Sequence, residues 1–263
     1  MKTVILAWTH KVCNLVTTET DNFWGLGDTI RGTIHLFQLS KKMGFRLIVD
    51  IQLHNVSHYL KQHTHEFDRF VLENKNKIPF ISDVEQYIES SSDDVLIFLT
   101  NGSQRLREPI SEECKLFIKE ILCPNEEFDK HIRTKMERLP SPHNYSVLHY
   151  RLNDIEMINI DNNKAIYDKY LENLLSNVEE DSILISTSKK FKDFVKTKNS
   201  VFMFDIDIGH LGYAAHKDII KDTLYEFFLL SRARLIKTHS VYRWLSGFAS
   251  VANQIYDVPL QRI

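Results

Sequence analysis

Glycine and proline are scarce in this chain of 263 residues, at eight and six. That excludes a disordered, collagen-like or low-complexity polypeptide. Cysteine is rarer still. Cys13, Cys114 and Cys123 are odd in number, widely spaced and form no Cys-x-x-Cys, so they imply neither a disulfide framework nor a zinc site. Reduced thiols of a cytosolic protein are the expectation. No charge sign dominates: Lys+Arg total 33 against Asp+Glu 35, a net charge of -2. No segment is strongly basic, which argues against nucleic acid as a main partner. No apolar run approaches the roughly 20 residues of a membrane helix. The run after Met1-Lys2-Thr3 is shorter than the roughly 7–15 apolar residues of a signal peptide and reads as a buried first strand. What is present, 43% hydrophobic and 26% charged residues, is the composition of a soluble α/β-type enzyme or binding domain.

Short β-branched runs alternate with longer helical patterns. Strands are expected at Val4–Ala7, Arg46–Ile51, Asp94–Thr100, Val147–Tyr150, Ile183–Ser186, Val201–Phe204 and Arg234–Lys237. Helices are expected from the Gly25-Leu26-Gly27-Asp28 segment to about Met43, stopped by Gly44, and at Ser111–Leu122, Glu126–Arg138, Lys164–Leu175, Lys189–Val195, Asp218–Leu230 and Val241–Val251. Residues 52–93 are polar, His-rich and mixed. This alternation predicts βαβ units and parallel sheets. Pro140 and Pro142 are the strongest linker signal and place a boundary between lobes 1–140 and 141–263.

Ligands of open parallel sheets bind beyond the carboxyl ends of the strands, so the residues there are the candidates. Gly25 and Gly27, with Asp28, precede a helix and read either as a tight loop-to-helix turn or as a phosphate or sugar site. A dinucleotide fingerprint would need glycine where Ile30 stands. His149, Arg151 and Asp154 close a strand. Arg151 offers a planar fork of donors to a diphosphate, or else forms a surface pair with Asp154. Ser186, Thr187 and Ser188 either cap a helix or donate to a ligand. Thr238, Ser240 and Val241 lead into an expected helix whose N-terminus could hold a phosphate. Glu226 and Asp222 share a helix face and could accept from a guanine edge or sugar hydroxyls, or form a solvated acidic face. Asp205-Ile206-Asp207 ends an apolar strand in two carboxylates that could hold a divalent cation, though such a triplet is common by chance. His63-Thr64-His65-Glu66 lacks the His-Glu-x-x-His spacing, and no Gly-x-Ser-x-Gly elbow or P-loop is present.

In this order the motifs resemble the fucosyltransferase superfamily of α1,2-, α1,6-, nodulation and protein O-fucosyltransferases. Trp24-Gly25-Leu26-Gly27-Asp28 is similar to the family's Gly-x-Gly-(Asn/Asp) loop, and Gly44–Asp50 to the strand after it. His149-Tyr150-Arg151-Leu152-Asn153-Asp154 resembles its His-x-Arg-x-x-Asp motif. Ile185–Ser188 sits where the family has a Ser/Thr-Asp-type motif. Leu230–Trp244 resembles the closing Ser-x-x-Phe-Ser-Trp-Trp motif. The resemblance implies a GT-B-like fold, two Rossmann-like lobes with parallel sheets facing a cleft. Carried over, Arg151 would bind the β-phosphate, His149 would contact the base or support Arg151, Ser240 and Val241 would bind phosphate, Glu226 would sit near the base, and Gly27 and Asp28 would line the cleft. Asn159 stands where the α1,6 enzymes have a glutamate base, and Val241 where an aromatic is common.

The reading is an inverting, metal-independent glycosyltransferase with no cofactor. A nucleotide sugar, GDP-fucose first, is the co-substrate, the N-terminal lobe is the acceptor side and the C-terminal lobe the donor side. Arg151 and Asp28 are the catalytic candidates, with Glu156 and Asp161 behind Asp28 as base. Gly25, Gly27, His149, Asp154, Ser186, Glu226, Thr238, Ser240 and Val241 are the donor-binding candidates. The acceptor is a glycan or glycoconjugate hydroxyl, and the expected setting is the cytoplasm of a bacterial or viral-type system. The alternatives are a metal-dependent or UDP-sugar-using transferase, or a noncatalytic sugar- or nucleotide-binding module.

Overall fold

Among the described residues two four-stranded sheets, each wholly parallel, carry the chain. The structure, a computed structural model, describes residues 1–8, 25–52, 54–61, 77–78, 83–99, 109–152, 164–206 and 217–263. Among these the chain divides into two compact units, Met1–Glu126 and the residues from Glu127 onward.

The first unit opens on β1 (Thr3–Ala7), whose residues 4–7 are buried. Helix α1 (Leu26–Met43) follows, with Gly25 as its extended N-cap. Ile30, Ile34 and Phe37 repeat at helical spacing and are buried, so α1 lays this face on the sheet. Lys41, next in the series, is exposed and pairs with Glu113. Gly44 ends α1 at φ 73°, with its N–H on the Ser40 carbonyl at 2.9 Å. No atom would meet an added Cβ there. Gly44→Ala is therefore expected to lose stability through backbone strain alone, about 1–2 kcal/mol in urea unfolding. Strands β2 (Arg46–Asp50), β3 (Lys77–Ile78) and β4 (Val95–Leu99) complete the order β2-β1-β4-β3. Ile5 lies in register with Ile48 and Ile97, and the three form one buried cluster. Helices α2 (Val84–Ser90) and α3 (Glu112–Ile121) start on Asp83 and Ser111, whose side chains accept from the N–H groups of Gln86 and Cys114 at 2.9 and 3.2 Å.

The second unit comprises α4 (Glu126–Met136), β5 (Ser146–Arg151), α5 (Lys164–Leu175), β6 (Ser182–Ser186), α6 (Lys189–Lys198), α7 (Lys217–Ser231), β7 (Leu235–Ser240), α8 (Gly247–Tyr256) and β8 (Leu260–Arg262). Its sheet order is β6-β5-β7-β8. One core cluster joins Leu148, Tyr150 and Leu152 to Leu174, Leu184, Phe191 and Val195.

Three sequence expectations are corrected. The units part at Glu126 and Glu127, not at Pro140–Pro142. Helix α4 packs into the second unit through Phe128 against Phe228, Asp129 against Arg232 and Lys135 against Asp222. The prolines lie in a turn beyond buried Leu139, within that unit. Val201–Phe204 forms a single parallel bridge, Phe202 to Ile183, instead of a strand. Phe204 is buried and packs on Tyr225, 5.2 Å between ring centres. The helix expected from Val241 begins only at Gly247, because β7 keeps pairing with β5 as far as Ser240.

Candidate active site

The strand order puts a switch point between β5 and β7. The chain leaves β5 for β6 on one side, then returns to lay β7 on the other. Between the carboxyl ends of two such strands the connections diverge and leave a crevice, the usual ligand position in open α/β sheets. Arg151 and Ser240 are the last paired residues there and lie in register.

Strand alternation gives His149 and Arg151 one facing and Tyr150 the other. His149, 1% exposed, shares a 3.0 Å hydrogen bond between Nδ1 and the Thr238 hydroxyl, and its ring lies 6.2 Å from that of Phe248. Burial, and then the Arg151 charge, push its pKa down to about 3, so it is a neutral support. Arg151 is half-buried. Its Nη1 donates to the Leu152 carbonyl at 3.3 Å and its guanidinium lies 5.6 Å from the Tyr242 ring centre. Tyr242 in turn stacks on Trp244, 5.0 Å apart and 14° from parallel, and Trp244 is 62% exposed.

The segment after β7 is fixed by its backbone. The Val241 N–H donates to the Arg151 carbonyl at 3.1 Å, and the Ser240 hydroxyl accepts from the Tyr242 N–H at 3.3 Å. Arg262 of β8 donates to the carbonyls of Tyr242 and Arg243 at 3.1 and 3.0 Å. Ser240 and Val241 thus stand beside Arg151, but not at a helix N-terminus.

The hydroxyls after β6 brace the same edge. Ser186 donates to the Tyr150 carbonyl and accepts from the Ser188 N–H, both at 3.1 Å. Thr187 accepts from the Leu152 N–H at 3.0 Å, and Ser188 caps α6 by accepting from the Phe191 N–H at 3.2 Å. Their geometry is the capping arrangement, and it holds the end of β5 in place.

Glu226 on α7 is buried beside Lys192 on α6, its Oε1 lying 3.7 Å from Nζ. Burial first, opposed by the Lys192 charge, raises its pKa to about 7. Lys192, beside the candidate Glu226, belongs to none of the sequence motifs. Its signal was a charged residue between Phe191 and Val195 on the face of α6 that is buried.

In the first unit, Gly25 and Gly27 are buried at the start of α1, and the N–H groups of Asp28 and Thr29 both donate to the Gly25 carbonyl at 3.0 Å. Asp28 is half-buried and ion-paired with Arg31. Asp154, Glu156, Asn159, Asp161 and Asp207 lie outside the described residues, as do His63–Glu66 and Cys13. Asp205 is exposed, and Lys196 at 3.1 Å holds its carboxyl below the usual range. Among the described residues no group of His, Cys, Asp or Glu is arranged to hold a metal, and no helix is long and apolar enough to cross a membrane.

No protein-family model and no curated protein matches the sequence. Solved structures do match. The α-1,6-fucosyltransferase NodZ soaked with GDP-fucose aligns at a TM-score of 0.60 and 12% identity, over 97% of this chain and 93% of that one. Fucosyltransferase NodZ from Bradyrhizobium aligns at 0.54 and 14%, over 96% and 93%. A mutant of Arabidopsis thaliana FUT1 in complex with GDP aligns at 0.52 and 12%, over 98% of this chain and 69% of that one. The chain therefore has an α/β, GT-B-like fold of the fucosyltransferase type, with a parallel Rossmann-like sheet in each unit.

Proposed function

We propose that this protein is an inverting glycosyltransferase that moves a sugar, fucose from GDP-fucose first, to a glycan hydroxyl without a metal ion. The observation that carries it is Arg151 at the β5–β7 switch point, on a fucosyltransferase-like fold, with neutral His149 two residues before it on β5 and hydrogen-bonded to Thr238 of β7. The acceptor oxygen attacks the anomeric carbon as the bond from that carbon to the diphosphate oxygen breaks. The bond electrons leave with the diphosphate, and the Arg151 guanidinium offsets the charge gathering there. A carboxylate takes the acceptor proton. Asp28 is the first candidate, with Glu156 and Asp161 next. Glu226 is assigned to the base end of the donor. A metal-dependent reading built on Asp205 has less support, since Lys196 already occupies that carboxylate. Free Cys114 and Cys123, the former with its thiol pushed up to about 12 by burial, are in keeping with a cytoplasmic setting.

A thermal-shift series with GDP, UDP, ADP and CDP tests the reading. GDP is expected to raise the melting temperature most, by several degrees at a hundredfold excess over Kd. A larger shift with UDP would change the donor, and no shift with any of the four would point to a degenerate module.

A further inference from the structure

Lys192 is hard to explain as a structural residue alone. It lies one turn into α6, its N–H on the Ser188 carbonyl at 3.1 Å, on the helix face that also buries Phe191 and Val195. An apolar side chain would fill that position without dehydrating an ammonium group. The Lys192 side chain is 4% exposed, and its Nζ makes no hydrogen bond among the described residues. Glu226 pairs with it ionically at 3.7 Å, too long for a hydrogen bond, and its side chain is 12% exposed. Asp222, one turn earlier on α7, is engaged by Lys135 at 3.5 Å. A buried ammonium and a buried carboxylate thus stand side by side as an ion pair with no hydrogen bond to the ammonium among the described residues. The start of α6 is also stitched to the end of β5, where Arg151 sits, through Thr187 and Leu152.

We propose that Lys192 is a specificity-determining residue: its ammonium donates to the O6 carbonyl of a guanine whose N1–H and 2-amino groups are accepted by Glu226. This rests on the reading of the second unit as the donor lobe with Glu226 at the base. The pair offers one donor beside one two-oxygen acceptor, and the guanine edge presents the complement, an acceptor followed by two donors. Adenine would set its 6-amino group against the ammonium. Uracil would match Lys192 and one carboxylate oxygen, but would set its O2 against the other.

The test uses the whole chain and calorimetric titration with GDP, 6-thio-GDP and IDP. The sulfur analogue weakens only the O6 acceptor, and IDP lacks only the 2-amino group. Wild type is expected to bind GDP about tenfold more tightly than either analogue. In K192M the gap between GDP and 6-thio-GDP should close to within about twofold, while the gap to IDP persists. K192R keeps a donor and should restore the first gap. A merely structural role would weaken all three ligands together and leave the ratios unchanged, and that result overturns the proposal. So does a wild type that binds GDP and 6-thio-GDP equally. A wild type that binds none of GDP, UDP, ADP or CDP instead removes the donor-lobe reading itself, and this inference with it.

Discussion

Arg151→Ala is expected to lower sugar transfer by roughly 10²–10³-fold while the protein stays folded. The reason lies in where charge appears. As the glycosidic bond to the donor breaks, negative charge gathers on the diphosphate, and a fixed guanidinium costs no reorganisation when it does. The β5–β7 ladder holds Arg151 by pairing it with Ser240 and bonding its carbonyl to the Val241 N–H. The alanine variant keeps those backbone bonds. It loses a 3.3 Å hydrogen bond to the Leu152 carbonyl and the contact with Tyr242, at a half-buried position. The melting temperature should therefore shift little. Arg151→Lys should recover only part of the rate, because an ammonium lacks the planar fork. In the same assay EDTA should leave wild-type turnover unchanged. Activity that survives Arg151→Ala but is lost in EDTA would replace the arginine mechanism with a metal-dependent one.

A second large effect is expected in the pH dependence of stability. His149 titrates at about 3 in the folded chain against 6.5 in the unfolded one. Its contribution is intact above pH 6.5 and is lost as pH falls towards 3, because the unfolded chain then binds the extra proton. Glu226 has the opposite sign. Its pKa is raised from 4.5 to about 7, so the folded chain binds the extra proton and stability falls as pH rises through that window. Each slope approaches about 1.4 kcal/mol per pH unit, and between pH 4.5 and 6.5 the two nearly cancel. Substituting His149 by Asn removes one of them. Urea unfolding of wild type and H149N between pH 8 and 4.5 should show the wild type losing stability relative to the variant only below pH 6.5, by about 2–3 kcal/mol at pH 4.5. A constant difference across that range would mean that His149 is not buried neutral. The subtraction isolates the imidazole, since every carboxylate outside its reach is common to both proteins.

The sequence by itself determined most of the strands and helices, though not β3, α2 or β8. Val4–Ala7, Val147–Tyr150 and Ile183–Ser186 are mostly apolar runs of strand length, and the structure pairs them within Thr3–Ala7, Ser146–Arg151 and Ser182–Ser186. Lys164–Leu175 has helical periodicity and Gly44 the one backbone freedom its position needs. Those are local properties, set by side-chain period and dihedral preference. Placing Arg151 at a strand end was legible for the same reason, and so was the likeness to the fucosyltransferases.

Pairing and burial were decided only in three dimensions. Ser240 became the last rung of a ladder because Arg151 stands opposite it, a partner 89 residues away in the chain. The proline turn reads like a linker, yet α4 crosses it in packing, through Phe128 and Asp129 onto α7 and the residue after it. Lys192 reads as one more lysine in a lysine-rich helix until α7 brings Glu226 against it. A helical period shows which face is apolar, but a charged residue on that face acquires its meaning only from what the fold sets opposite it. Desolvation and partner distance, the quantities that move the pKa values of His149 and Glu226, depend on tertiary contacts and on no local pattern.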